Sequence, residues 1–87
     1  MDDQDIFSIK IVQSGDLNKF VLSERMLHRE LKSLLFPLLK ELKLKEKEIF
    51  LSNDEGKMMQ KVDLNRPLNE IIQKFGYQLN LYSEKIL

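Results

Sequence analysis

The chain has 87 residues, enough for one hydrophobic core and too few for two, because a domain of this size buries only roughly 60 to 65% of its unfolded surface. Hydrophobic residues make up 43% of the sequence and charged residues 32%, which is typical of a globular domain and too apolar for a disordered chain. The 14 basic residues are matched by 14 acidic ones, so no net charge favours binding to nucleic acid or to an anionic membrane.

Signals for a membrane span or for secretion are missing from the sequence pattern. No cysteine is present, which excludes disulfides and favours a reducing compartment. The longest apolar run, 34–39, is far shorter than the roughly 20 residues that cross a bilayer, and the first residues are acidic where a targeting signal would be basic. We therefore expect a cytoplasmic protein without a membrane span.

An N-terminal hairpin is predicted first. Residues 6–13 are rich in β-branched side chains, and one side of this stretch is apolar: Phe7, Ile9 and Ile11. Turn-forming residues follow at 14–16. A second strand is predicted over 18–22, with Phe20 and Leu22 on one side.

A main amphipathic helix is predicted after the hairpin, with Ser23 as its N-cap. Its apolar residues recur at helical spacing: Leu27, Leu31, Leu34, Leu35 and Leu38. Proline lacks the N–H and clashes with the preceding turn, so we expect the helix to end near Leu35 or Phe36. Pro37 can then open a second short turn through Leu42.

The second half of the chain predicts two strands, a short helix and a closing strand. A third strand is expected over 48–52, and the turn 53–56 leads into a weaker fourth strand around 58–62. Pro67 suits the first helical position, and the helix that follows should end before Gly76. The last strand spans 77–82, where Leu79 and Leu81 alternate with polar residues.

This order of elements resembles the ubiquitin-like β-grasp domains over nearly the whole chain. Two stretches are similar to the third strand, short helix and final strand of the N-terminal ubiquitin-like subdomain of FERM heads, as in talin and kindlin. The first is Glu48–Gly56, and the second is Leu64–Ile72 followed by Gly76 and Leu79–Tyr82. The helix segment Met26–Leu42, with its internal proline, is also similar to talin.

The predicted fold class is therefore α+β, with a mixed four- to five-stranded sheet packed on one main helix plus a short second helix. One ubiquitin-like domain is expected over 1–87, with an ordered core over about 5–82. Function inferred from such a fold remains an analogy, so it has to be argued from individual residues.

The inventory of side chains predicts a protein that is not an enzyme and holds no metal or cofactor. His28 is the sole histidine, and no carboxylate pair has a spacing that specifies acid–base catalysis. The turn 53–56 lacks the alternating oxygen ligands of a calcium loop. Conjugated ubiquitin-like modifiers end in Gly-Gly, and the tail 83–87 contains no glycine, so conjugation is not expected.

Basic residues form the first candidate binding surface. Arg25, Arg29 and Lys32 follow at i, i+4 and i+7 and would share one face of the predicted main helix, with Lys19 beside them on the second strand. In Ras-binding members of the superfold, basic residues here meet the acidic switch region of a small GTPase, and the second strand pairs with a strand of that partner. A basic helix face is equally typical of plain solvation.

The outer side of the sheet is the second candidate surface. Residues opposite in parity to the core are expected to be exposed there: Ser8, Lys10, Phe50, Gln78, Asn80 and Tyr82. Phe50 is an aromatic residue among polar ones and could anchor a partner, with Lys10 on the same face. Single exposed apolar residues are also common without any function.

The leading hypothesis is a non-catalytic protein–protein interaction module of FERM-subdomain type. Its expected partner is a Ras-family small GTPase or an adjoining FERM subdomain, with cytoskeletal or peripheral membrane association through that partner and no nucleic acid. The alternative is a free-standing ubiquitin-like accessory protein, similar to those of bacterial type VII secretion systems, or a non-conjugated ubiquitin-like protein. The segment 34–39 holds more apolar residues than one helix face can bury, so some of them would pack on an adjoining domain or in an enlarged core under a kinked helix.

Overall fold

The strands form one mixed sheet in the computed structural model, which describes residues 5–86. The four strands are β1 (Ile6–Ile11), β2 (Leu17–Val21), β3 (Phe50–Ser52) and β4 (Gln78–Tyr82). β1 pairs antiparallel with β2 and parallel with β4, while β3 pairs antiparallel with β4. The sheet order is β2-β1-β4-β3, so β2 and β3 are its edges.

Three α-helices accompany the sheet: α1 (Glu24–Leu27), α2 (Leu31–Leu42) and α3 (Leu68–Phe75). Two 3-10 turns, Glu46–Glu48 and Lys61–Asn65, lie on either side of β3 in the chain. The predicted α+β class, with a main helix and a short second helix on a mixed sheet, is confirmed. Between residues 5 and 86, every helix is too short or too polar to cross a bilayer.

The core lies between the inner face of the sheet and the helices. Its fully buried side chains come from β1, α2, α3 and β4: Phe7, Ile9, Leu31, Leu68, Ile71, Leu79 and Leu81. Alternation along β1 and β4 therefore predicts the buried face correctly. Leu27 was expected in this interior, but it is only half-buried and lies at the edge of the packed region.

The prediction of one helix ending near Phe36 is wrong. The chain leaves the helical path earlier, over 28–30, and then runs as one helix through Pro37 to Leu42. Two backbone hydrogen bonds to the segment before α3 hold the break: the Leu31 N–H donates to the Arg66 carbonyl (3.0 Å) and the Leu68 N–H to the Arg29 carbonyl (2.8 Å). Tertiary pairing thus overrides the local helical pattern.

The predicted fourth strand around 58–62 is also wrong. Only an isolated bridge joins Ser52 to Met58, and the chain then turns into the second 3-10 turn. The turn before it is confirmed: the Asn53 carboxamide oxygen accepts from the N–H groups of Glu55 (3.1 Å) and Lys57 (2.8 Å). The sheet consequently has four strands.

A buried carboxylate explains why this segment curls. Asp63 is 0% exposed and accepts from the Gln60 N–H (3.0 Å), Arg66 Nε (3.0 Å) and Lys74 Nζ (3.1 Å). An extended strand would carry Asp63 away from these donors and leave a charge without partners. The 3-10 turn instead fastens the segment to α3.

Helix α3 follows its prediction closely, with Leu68, Ile71 and Phe75 buried on one face. Pro67 is its N-cap residue rather than its first helical residue, and Gly76 ends it with a φ of 99°. A backbone in that region favours glycine, so the helix ends where the sequence indicates.

Candidate protein-binding surface

The open edge of β2 is the feature most suited to binding another chain. The Ile11 N–H donates to the Asp16 carbonyl (2.8 Å) and the Leu22 N–H to the Asp5 carbonyl (2.7 Å). From these two bonds and the strand register, Asn18 and Phe20 are the residues of β2 that bond to β1. Because bonded and non-bonded pairs alternate in an antiparallel ladder, the other residues of β2 direct their N–H and C=O groups outward: Leu17, Lys19 and Val21. Within 5–86 no hydrogen bond uses these groups.

The other edge of the sheet is less open. The Met59 N–H donates to the Leu51 carbonyl (2.8 Å), so the segment after β3 already occupies part of that edge. β3 is also only three residues long. An incoming strand would therefore find a longer free backbone at β2 than at β3.

A groove of about 290 Å³ lies directly beneath the β2 edge, between that strand and α2. Apolar side chains from β2, α1 and α2 form its floor: Phe20, Met26, Leu34, Pro37 and Leu38. Arg29 and Glu41 also line it and supply charges of opposite sign. The groove is thus suited to apolar side chains that reach inward from a strand bound at the edge.

The four predicted basic residues do not form one helical stripe, because the chain break at 28–30 separates them. Arg25 is exposed on α1, Arg29 follows the end of α1 and lines the groove, and Lys32 lies on α2 with its Nζ 4.0 Å from a Glu30 carboxylate oxygen. The Lys19 side chain lies on the outer face of the sheet, since Phe20 and Asn18 face the groove.

The β2 edge nevertheless has a cation on each side, although on the groove side Glu41 lines the same groove as Arg29. Side chains of a strand added there would alternate between the outer face, where Lys19 lies, and the groove, where Arg29 lies. Acidic residues in that strand could meet a cation on either side. Of the predicted residues, Lys19 and Arg29 therefore belong to this edge, and Lys32 is partly neutralised by Glu30.

The outer face of the sheet carries Lys10 on β1 and Phe50 on β3, as predicted. Phe50 is 51% exposed and packs against Tyr82 with ring centroids 6.3 Å apart. Lys10 is exposed on β1, with Leu17 and Asn80 as its neighbours across the sheet. Strand β4 lies between β1 and β3, so Lys10 and Phe50 do not form one contact point.

The expected exposure of this face needs one correction, and the face holds residues that were not foreseen. Ser8 is buried at 9% exposure, because Lys19 and Gln78 flank it on the neighbouring strands. Val12 and Leu17 are exposed apolar residues. The alternation of inward and outward side chains, continued one residue past β1 and applied to the start of β2, would have placed Val12 and Leu17 on the outer face.

The two carboxyl groups with altered pKa values lie away from the β2 edge. A hydrogen bond from the Lys45 N–H lowers the pKa of Glu48, with Lys85 nearby. Burial alone would raise the pKa of Asp63, but the Gln60 N–H and the two cations outweigh burial, so this pKa lies below its ordinary value. Both carboxylates form hydrogen bonds and ion pairs within the chain.

Among residues 5–86, no three His, Asp or Glu side chains lie close enough together to hold a metal ion, and His28 is exposed in the break after α1. The arrangement of the β2 edge and its groove supports binding of a polypeptide.

Comparison with known proteins adds no family: no protein-family model matches this chain, and no curated protein matches it as a relative.

Proposed function

We propose that this chain is a non-catalytic protein-binding module that adds an extended segment of its partner to the open edge of β2. The observation that carries the proposal is the unused hydrogen-bonding capacity of Leu17, Lys19 and Val21 above an apolar groove. Backbone bonds to an edge strand supply affinity, and pockets for alternate side chains supply specificity. Both parts of such a site are present at this edge.

The flanking charge favours an acidic partner strand. Lys19 and Arg29 lie on opposite sides of the edge, and neither is within 4.0 Å of a carboxylate in the described part of the chain. A Ras-family small GTPase, which the resemblance to FERM subdomains implies, would present such an acidic strand. The expected cytoplasmic location, and membrane or cytoskeletal association through the partner, belong to the same proposal.

A foreign strand fits this edge better than a second copy of β2. In the antiparallel register that pairs all three free residues, Leu17 would lie opposite Val21 and Lys19 opposite Lys19. Like charges directly opposite each other destabilise a strand pair, and an edge lysine is a common device against self-association. Lys19 therefore both discourages dimers and attracts an acidic strand.

The test is a calorimetric titration of the domain with a GTP-loaded Ras-family protein. Lys19→Glu and Arg29→Glu should each weaken binding at least about tenfold and reduce its dependence on salt. Lys61→Glu is the matched control, since Lys61 is exposed beside the opposite edge, and it should change affinity less than about twofold.

Either of two results counts against the proposal. Binding that is equally strong in Arg29→Glu and in the control would exclude this site. A complete lack of binding by the wild-type domain would remove the GTPase as the partner.

A further inference from the structure

A second groove, of about 540 Å³, lies on the other side of α1, between the start of that helix and α3. Its apolar lining comes from Leu22, Leu27, Ile72 and Tyr77. Tyr77 is 52% exposed, and Leu27 is the residue that the sequence places in the core and the structure does not. Leu22 and Ile72 pack against the core with part of their surface, while Leu27 and Tyr77 leave apolar surface accessible to a ligand.

The charges at this groove are acidic, in contrast to those at the β2 edge. Asp5 and Glu24 both line it. Within 5–86 neither carboxylate has a basic group within 4.0 Å. Two carboxylates that no described cation neutralises, placed beside apolar surface, favour a ligand that combines a cation with an apolar group.

Amide side chains complete the rim. Asn69 and Gln73 are exposed one turn apart on α3, and both line the groove together with Ile72. Neither side chain makes a hydrogen bond to another described residue. A carboxamide both donates and accepts, so this pair can bond to the N–H and C=O groups of a peptide backbone.

We propose that this second groove binds a basic, apolar segment of a protein partner, with an apolar side chain on Leu27, Ile72 and Tyr77 and a Lys or Arg beside Asp5 and Glu24. Polypeptide is the occupant that uses all three features at once: the apolar floor, the carboxylates and the paired amides. This inference does not rest on the β2 proposal, because none of the residues that line the second groove lines the groove at the β2 edge.

Helix α1 separates the two grooves, so the domain can hold both segments together. Met26 and Arg29 line the groove at the β2 edge, whereas Glu24 and Leu27 line the second groove. An acidic strand and a basic segment therefore have separate sites on one small domain.

The experiment is an NMR titration of the isotope-labelled domain with two short peptides, one alternating Leu and Arg and the other alternating Leu and Glu. The basic peptide should shift the amide signals of Leu27, Ile72 and Tyr77 in a saturable way at millimolar concentration, and the acidic peptide should not. The double variant Asp5→Asn, Glu24→Gln should weaken the basic peptide about tenfold at low salt.

Glu41→Gln is the matched control, because Glu41 is an exposed carboxylate in the groove at the β2 edge. It should leave the affinity for the basic peptide unchanged. The inference is overturned if the basic peptide moves none of the three signals. It is equally overturned if Glu41→Gln weakens binding as much as the double variant does, because the peptide then lies in the other groove.

Discussion

Replacement of Asp63 by asparagine tests how the chain between β3 and α3 is held. Asp63 is 0% exposed, and its carboxylate accepts from the Gln60 N–H, Arg66 Nε and Lys74 Nζ at 3.0 to 3.1 Å. Asparagine keeps the shape of the side chain but replaces one accepting oxygen with a donating NH₂ group. At least one of the three donors must then lose its acceptor.

The expected loss follows from the burial of each partner. A buried N–H left without an acceptor costs about 1 to 3 kcal/mol. The Arg66 and Lys74 side chains are 43% and 40% exposed, so solvent screens their attraction to Asp63. Each of these two pairs therefore contributes at most about 1 kcal/mol. We expect Asp63→Asn to lower the free energy of unfolding by about 3 kcal/mol.

Urea unfolding followed by circular dichroism measures this loss. A change of about 3 kcal/mol corresponds to a fall of roughly 2 to 3 M in the urea midpoint of a domain of this size. Glu70→Gln is the control, because Glu70 is also bonded to Arg66 (3.3 Å) but lies at the surface with 49% exposure. That variant should lose less than about 0.5 kcal/mol.

The difference in stability between wild type and Asp63→Asn should depend on pH in a definite direction. The folded-state pKa of Asp63 lies below the ordinary value of 3.8, so its stabilisation is present above that value and is lost as the pH falls through the folded pKa. The difference in the free energy of unfolding between wild type and Asp63→Asn should be constant from neutral pH to about pH 5, and it should become smaller in stronger acid. A midpoint for Asp63→Asn equal to that of Glu70→Gln would refute the reasoning.

Four further substitutions test the fold. Pro37 lies exposed inside α2 without an N–H to donate, so Pro37→Ala should raise the free energy of unfolding by about 1 to 2 kcal/mol, and an unchanged or lower melting temperature would contradict this. Ser23 caps α1 by accepting from the Met26 N–H (3.2 Å), so Ser23→Ala should lose about 1 kcal/mol in urea unfolding. Leu51 is 5% exposed, so Leu51→Ala should lower the free energy of unfolding by about 2 to 4 kcal/mol. Phe50 lies on the opposite face, and Phe50→Ala should lower it by less than about 1 kcal/mol. Similar losses in the two variants would show that the inner and outer faces of β3 are wrongly assigned.

Periodicity along the chain predicts those elements whose buried face is continuous. In β1 and β4 the residues of one parity are consistently apolar, so Phe7, Ile9 and Leu81 are correctly placed in the interior. Helix α3 has apolar residues at helical spacing and a glycine directly after it, and it is found where expected. In these segments local preference and tertiary packing agree.

The errors arise where contacts distant in sequence decide the local structure. The helix break at 28–30 depends on hydrogen bonds with Arg66 and Leu68, which no local pattern near the break reveals. The missing strand at 58–62 depends on the buried Asp63, whose ion pair with Lys74 reaches across to α3, while its pair with Arg66 is local. A sequence shows that such residues are charged but not which partners they meet.

The candidate site was predictable only in part for the same reason. Alternation placed Lys10 and Phe50 on the outer face, and the hairpin placed Lys19 on the second strand. The groove beneath β2 needs the position of α2, which the predicted break at Pro37 would have changed. Arg29 belongs to the edge because the chain leaves the helix just before it.

Amide hydrogen exchange in β2 is the most direct test of the proposed binding mode. In the free domain, the N–H groups of Asn18 and Phe20 are bonded to β1, while those of Leu17, Lys19 and Val21 point into solvent. When a GTP-loaded Ras-family partner binds, we predict slower exchange at Leu17, Lys19 and Val21 and little further change at Asn18 and Phe20. A partner that binds while these three amides exchange as fast as before would contradict strand addition at the β2 edge.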